Sequence, residues 1–411
     1  MARTFASRRV DRALSIDELR HMARRRLPEV VFEYLDGGAE DEVTLRRNRA
    51  VFDDVAFLPA ALNDVATVDA TTSLFGRPMA FPFAVAPTGF NGLMRRDGDL
   101  ALARAAAAAD IPLAQSTVSN ARIETVAAVP GLRHWMQLYI FRDQAFMEAL
   151  LERAERAGCE ALILTVDSNV FGNREWDKRN YATPSRPRLS RRFEALRHPG
   201  WVRDVLLPGI PGFGNLDEIL PPDRRDLSGA AHWSRTQIDP SLSWRHLDWL
   251  RTRWRGPLVV KGLLSPSDAV RARDAGADGI VLSNHGGRQL DGAVAPLQIL
   301  AETRQALGAG TVLMIDGGIR RGSDIAKAVA LGADAVLSGR APLYGLAAGG
   351  EAGVARALAL LAEQFLRVMA LLGRRSVADL SPDCLRDVAD LGPLRSVETP
   401  CGAQSIRDRP R

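Results

Sequence analysis

The chain has 411 residues, of which 46% are hydrophobic and 25% charged, and its net charge is +5. That balance describes an ordinary globular enzyme with ample core and excludes a disordered or fibrous chain. The arginines are dispersed and do not form a dense basic face with aromatic partners, which argues against a nucleic-acid binder.

Cys159, Cys384 and Cys401 are odd in number and far apart. They offer neither a disulfide framework nor a metal-ligand spacing, so no metal is expected and a reducing cytosol is. Arg3, Arg8, Arg9 and Arg12 are not followed by an apolar core, so no signal peptide is expected. No window of eighteen apolar residues predicts a membrane span.

In chain order, Ser15-Ile16-Asp17-Glu18 is a capping box that predicts a helix running to about Arg26. Pro28 can open a second helix, which Gly37-Gly38 would end. Tyr34, inside it, reads equally as core packing or as a functional group.

From residue 80 a rhythm begins. Apolar, β-rich runs stand at Phe83–Pro87, Pro112–Ser116, Trp135–Tyr139, Ala161–Asp167, Pro257–Lys261, Gly279–Ser283, Thr311–Asp316 and Ala335–Ser338. Helical stretches separate most of them: Gly98–Ala109, Asp143–Ala157, Pro266–Ala275, Pro296–Leu307 and Ser323–Leu331. Eight such units predict an α/β fold, a closed parallel (β/α)8 TIM barrel, because strands buried on both faces read as continuous apolar runs. The barrel would span 80–375, after an N-terminal helical extension (1–79) and before a C-terminal tail (376–411). An open doubly wound sheet is the alternative, but no G-x-G-x-x-G follows the first strand.

The rhythm breaks once, after strand 4, where residues 168–241 form an insertion too long to be an idle loop. It carries Arg186, Arg188, Arg191, Arg192, Arg197 and Arg203 against only Glu194 and Asp204. Leu189, Phe193 and Leu196 fall at helical spacing, followed by Trp201. Segment 186–203 therefore reads equally as an anionic-membrane contact or as a lid or oligomer contact.

Gly279–Gly292 holds the most informative pattern. The apolar Ile280-Val281-Leu282 gives way within six residues to Ser283, Asn284, His285, Gly286, Gly287 and Arg288. A base and an anion clamp three residues apart at a strand's C-terminal end could both reach one small substrate. The other strand ends supply Pro87-Thr88-Gly89, Ser116, Gln137, Tyr139, Thr165, Asp167, Lys261, Asp316-Gly317-Gly318 and Gly339-Arg340. The glycines of the last two strands, with Arg320 and Arg340 beside them, suit a phosphate. Ser116, Gln137 and Thr165 suit the edge of a heterocycle. Lys261 would be buried and need an anion, which a reduced, negatively charged ring would supply.

These motifs, with Leu27–Glu42 (L-P-E-V-V-F-E-Y-L-D-G-G-A-E-D-E), resemble the FMN-dependent α-hydroxy-acid dehydrogenase/oxidase family across most of the chain. Within it, the (S)-mandelate dehydrogenases and the bacterial membrane-associated L-lactate dehydrogenases look nearest. The resemblance implies FMN as cofactor and oxidation of an (S)-2-hydroxy acid to the 2-oxo acid. It implies that His285 is the base, with Asp167 holding its imidazole. Arg288 and Arg174 would bind the substrate carboxylate, and Tyr139 and Tyr34 its other oxygens. Lys261 would favour the anionic reduced flavin, Pro87, Thr88 and Gly89 would pack on the ring, and Ser116, Gln137, Thr165 and Ser283 would bond its edge. Asp316, Gly317, Gly318, Arg320, Gly339 and Arg340 would surround the phosphate. The family further implies a quinone or other electron carrier as partner, a homo-oligomer, and a cytoplasmic protein peripheral to the inner face of the cell membrane.

Two positions bear on specificity. Gly89 stands where several oxidases of the family carry Ala, which favours a dehydrogenase. Val118 stands where glycolate oxidase carries a bulky Trp, so a larger mandelate-like or lactate-like acid is expected, with Phe171 lining the pocket. An oxygen-using oxidase, or action on a peptide or natural-product intermediate, is the alternative. A catalytically dead scaffold would have lost His285, Arg288 or Lys261, and all three are present.

Overall fold

The computed structural model describes residues 9–183, 186–187, 193–209, 211–221 and 227–391. Eight parallel strands close into a barrel: β1 (Phe83–Val85), β2 (Pro112–Ser116), β3 (Arg133–Leu138), β4 (Ala161–Thr165), β5 (Leu258–Leu263), β6 (Gly279–Leu282), β7 (Val312–Ile315) and β8 (Ala335–Ser338). The seam is the β8–β1 ladder, which pairs Val336 with Phe83 and Ser338 with Val85. Closure removes the open-sheet alternative.

Side chains alternate along each strand. Trp135, Ile163, Val259, Val281, Met314 and Leu337 belong to an inner apolar cluster, while Val260, Ile280, Leu282, Leu313 and Ile315 join the core beneath the helices. A two-strand hairpin, Thr72–Leu74 with Arg77–Met79, stoppers the N-terminal end. Its turn residues Phe75 and Gly76 have φ of 53° and 75°, the left-handed pair that a tight hairpin demands. The Phe75 ring meets Trp135 edge-on at 5.8 Å. The hairpin closes the barrel interior at that end, which leaves the C-terminal mouth as its opening among the described residues.

Two residues beyond the apolar layer, the same inward rows end in Ser116, Gln137, Thr165, Lys261, Ser283 and Asp316, all buried. The period of two thus converts an apolar plug into a polar floor at the mouth.

The N-terminal extension folds as α1 (Ile16–Arg26), α2 (Glu29–Asp36) and α3 (Val43–Ala50). Ser15 Oγ accepts from Glu18 N at 3.2 Å, and the Glu18 carboxylate accepts from Leu14 N at 2.7 Å. Pro28 and Gly37 bound α2. Helix α1 buries Ile16, Leu19, Met22 and Ala23 and packs against the long helix Arg340–Leu371. Residues 376–391 return to the extension: Leu385–Asp387 pairs antiparallel with Val55–Phe57, and Asp69 bridges Ser376.

The insertion needs one correction. Trp201, grouped with the basic segment, is buried, and its indole N–H donates to the Leu93 carbonyl at 2.6 Å. It anchors the insertion to the barrel, because a buried indole must find an acceptor. Phe193 and Leu196 do face solvent, at 70% and 59% exposure. Arg188, Leu189, Arg191 and Arg192 lie outside the described residues, as does the side chain of Arg186. Among the described residues no helix is long and apolar enough to cross a membrane.

Candidate active site

The loop after β6 has unusual backbone geometry. His285, Gly286 and Gly287 lie in succession at φ 56°, 65° and 76°. For a residue with a β-carbon this costs on the order of 1–3 kcal/mol, so other contacts must hold it. Here His285 N donates to Ser283 Oγ at 3.0 Å and Gly287 N to Asn284 Oδ1 at 3.1 Å. Asn284 and Asn48 of α3 exchange two amide hydrogen bonds of 2.8 Å, and Gly287 O accepts from Ala39 N at 2.9 Å. The N-terminal extension therefore clamps the loop into its strained form.

That conformation turns the imidazole toward Asp167, with Nδ1 2.9 Å from Oδ1. Ser168 Oγ lies 3.0 Å from the same carboxylate oxygen and 3.3 Å from Nδ1. With Nδ1–H donating to a carboxylate, Nε2 is the basic nitrogen available to the cavity that His285 lines. Burial pulls the Asp167 pKa upward, but the imidazole, the Lys261 ammonium and the Ser168 hydroxyl outweigh it and hold the carboxyl below its ordinary range. Asp167 itself sits against Gly262, where an added Cβ would meet its Cγ at 2.7 Å.

Lys261 is buried with Nζ 2.9 Å from Asp316 Oδ2 and 2.9 Å from Ser283 Oγ. Burial lowers its pKa, but the Asp316 and Asp167 carboxylates raise it further, so the ammonium stays charged. The sequence reading assigned it a reduced ring as its anion and put Asp316 near a phosphate. The structure adds a partner that neither expectation included: Asp316 is the carboxylate that balances Lys261 within the protein, and both residues line the cavity. Asp316 Oδ1 is buried without a hydrogen-bond partner among the described residues.

The cavity above this floor measures about 670 Å³. Tyr34, Tyr139, Arg174, Lys261, His285 and Arg288 line it, with Pro87, Thr88 and Gly89 from the end of β1. Arg288 and Arg174 both lie over the Tyr34 ring, with guanidinium carbons 5.1 and 5.9 Å from its centroid. Tyr34 is therefore a cavity residue, edge-on to Phe90 at 5.2 Å. Burial, then the charge of Asp167, push the Tyr139 hydroxyl far up, so it remains a donor at any ordinary pH.

Asp316, Gly317, Gly318, Arg320, Gly339 and Arg340 also line the cavity. Gly317 and Gly318 have φ of 94° and 83°, and a Cβ at Gly318 would strike the Asn48 backbone at 1.9 Å. The N–H groups of Gly317, Gly318 and Ile319 donate to no other group among the described residues. Arg340 also braces the backbone around it. Its three nitrogens donate to the carbonyls of Leu35, Gly286 and Gly37 at 3.1, 2.7 and 2.8 Å. Ser116, Gln137 and Thr165 form a chain, Ser116 Oγ to Gln137 Oε1 at 3.1 Å and Gln137 Nε2 to Thr165 Oγ1 at 3.0 Å. With Ser283 they lie behind the lining residues.

Residues 23–387 match the FMN-dependent dehydrogenase family. The chain belongs to that family. Its L-lactate dehydrogenase relative from Allorhizobium ampelinum is 43% identical over 372 residues, 90% of this chain and 98% of the relative. The crystal structure of the monotopic membrane protein (S)-mandelate dehydrogenase superposes with a TM-score of 0.87 at 40% identity, covering 92% of this chain and 100% of that one. Mandelate oxidase with (S)-4-hydroxymandelic acid reaches 0.79 at 39% identity, covering 91% and 98%.

As a member of this family the protein uses FMN. The cavity fits that group on its own evidence. Open backbone N–H groups at Gly317–Ile319 suit a phosphate, the charged Lys261 in a buried floor suits an electron-rich ring, and Gly89 leaves one wall without a side chain. Among the described residues no group of His, Cys, Asp or Glu is placed to hold a metal.

Several functional residues escaped the sequence reading. Gln289 Nε2 donates to Asp167 O at 2.6 Å and to Ser168 Oγ at 3.0 Å, while its Oε1 accepts from Gly172 N at 2.9 Å. It thereby ties the His285 loop to the start of the insertion. Gln289 and Gly262 adjoin residues that the sequence singles out, Arg288 and Lys261, but nothing local to Asn48 or Ser168 signals a role.

Proposed function

We propose that this protein oxidises an (S)-2-hydroxy acid to its 2-oxo acid. FMN, when bound, supplies the two-electron acceptor. His285 Nε2 takes the proton, and Asp167 stabilises the imidazolium that results. Arg288 and Arg174 hold the substrate carboxylate, Arg288 by a guanidinium fork suited to two carboxylate oxygens. Tyr139 and Tyr34 orient the remaining oxygens. The arrangement of Asp167 on His285 Nδ1, in a cavity shared with two arginines over one tyrosine ring, is the observation that carries this reading.

Lactate-like and mandelate-like acids are the substrate class, since the relatives are named for both. The electrons pass to a quinone or another carrier at a membrane surface. The exposed Phe193 and Leu196 and the monotopic membrane neighbour support that placement. The test is anaerobic bleaching of the flavin by a panel of L-lactate, (S)-mandelate, glycolate and longer 2-hydroxy acids. Rapid bleaching by one class is expected, and bleaching by none would sink the proposal. Admitting air afterwards separates oxidase from dehydrogenase.

A further inference from the structure

We infer that Asn48 is a positioning residue for the reaction. From one point on α3 it sets both the loop that carries His285 and the glycine-rich loop after β7, so proton removal and phosphate retention depend on it together. This rests on the 2-hydroxy-acid reading above and deepens it.

Helix α3 lies hard against both loops. Leu45 and Asn48 are three residues apart and so share a helix face. A Cβ on Gly287 would lie 2.6 Å from Leu45 N, and one on Gly318 would lie 1.9 Å from Asn48 O. The first of these glycines ends the left-handed run that begins at His285. The second belongs to the run of open N–H groups at Gly317–Ile319.

Each end of the helix is tied to one of the same loops. The Asp291 carboxylate accepts from Val43 N at 3.1 Å and Thr44 N at 2.7 Å, and so satisfies donors of the first turn. In the last turn Arg49 donates to Gly318 O and to the Asp324 carboxylate. That carboxylate also accepts from Arg320 N and Arg321 N at 2.8 and 2.9 Å.

Asn48 is the buried polar group between these ties. Its side-chain amide exchanges hydrogen bonds of 2.8 Å with that of Asn284, which also accepts from Gly287 N at 3.1 Å and donates to Val294 O at 3.0 Å. Removing Asn48 strands a buried donor and a buried acceptor on Asn284, next to a backbone that gains by relaxing. Neither asparagine lines the cavity, so the influence of Asn48 on substrate and flavin passes through the two loops.

The test is a double-mutant cycle on the holoenzyme, read by anaerobic reduction of the flavin with the best substrate of the panel. Asn48→Ala is expected to slow reduction roughly tenfold when His285 is present and to leave the residual rate unchanged in His285→Gln, because displacing a base has no effect where the base is gone. Equal slowing in both backgrounds, or none in either, overturns the positioning role. The second readout is binding of FMN and of riboflavin by the flavin-free full chain. Asn48→Ala is expected to weaken FMN roughly tenfold and riboflavin little, since only FMN carries a phosphate for the glycine-rich loop. Equal weakening of the two, or an unchanged FMN affinity, overturns the link to that loop. Should Asn48→Ala not fold, Asp291→Asn, which loosens the first turn of α3 but keeps one acceptor, is expected to give the same pattern at smaller amplitude. A native rate and native FMN affinity in that variant overturn the inference. Failure of every 2-hydroxy acid to bleach the native flavin overturns the underlying reading instead.

Discussion

Arg288 and Arg340 converge on one acceptor, the carbonyl oxygen of Gly37, at 2.9 and 2.8 Å. One guanidinium belongs to the proposed substrate clamp and the other to the glycine-rich end of the cavity. The shared carbonyl closes α2, the helix that carries Tyr34. The two ends of the cavity are thus joined through a single peptide of the N-terminal extension.

Arg340→Met should therefore act at a distance. It strips the Leu35 and Gly286 carbonyls of their side-chain donor and leaves Gly37 with Arg288 alone, which costs on the order of 2–6 kcal/mol in total. It should also raise KM more than it lowers kcat, because Arg288 and Tyr34 lose their support. Thermal unfolding and steady-state kinetics check this; an unchanged KM would break the link between Arg340 and the substrate clamp.

His285→Gln should retain flavin and slow its anaerobic reduction by a factor of about 10² to 10⁴, the usual contribution of a positioned base. Stopped-flow absorbance is the measurement. A variant that bleaches at the native rate would exclude His285 from proton transfer.

The Asp167 carboxyl is held below its ordinary pKa and the Lys261 ammonium above its own. A lowered acid pKa contributes stability that is present above about pH 4 and lost as the pH falls through the folded value. A raised lysine pKa contributes stability present below about pH 10.4 and lost only as the pH rises through the folded value. Between these limits neither group should tilt the stability curve. Melting temperature against pH should show an acid limb that is shallower in Asp167→Asn, and identical acid limbs would refute the assignment.

Lys261→Met removes the cation from a buried pair and leaves Asp316 uncompensated, at a cost of about 3–5 kcal/mol. The double change Lys261→Met with Asp316→Leu should recover much of that stability without restoring rapid flavin reduction. Recovery of both would mean that Lys261 serves the fold alone.

Gly89 faces Val118 so closely that an added Cβ would lie 2.7 Å from Val118 Cγ2 and 3.0 Å from its carbonyl. Gly89→Ala should therefore push Val118 into the cavity and weaken large substrates more than L-lactate, and adding Val118→Ala should relieve part of the effect. Equal losses across the substrate panel would argue against this wall as the side-chain pocket.

The sequence alone determined the barrel and the chemistry at its strand ends. Strands buried on both faces must read as apolar runs, and a parallel barrel must present its polar residues where those runs stop. His285, Arg288, Lys261 and the glycines of the last two strands were legible for that reason. Only the tertiary structure could assign partners. Asp316 proved to be the counter-ion of Lys261, and Arg340 a brace on α2 and the His285 loop, because the groups that meet them lie tens to hundreds of residues away in the chain. Trp201 looked like a surface aromatic in a basic segment and is buried, because helical spacing within an insertion cannot reveal that the Leu93 carbonyl is waiting for its N–H. Which face of the inserted helix Leu227–Gln237 meets the cavity was likewise decided by backbone pairing with residues 140–142, a contact between segments almost a hundred residues apart.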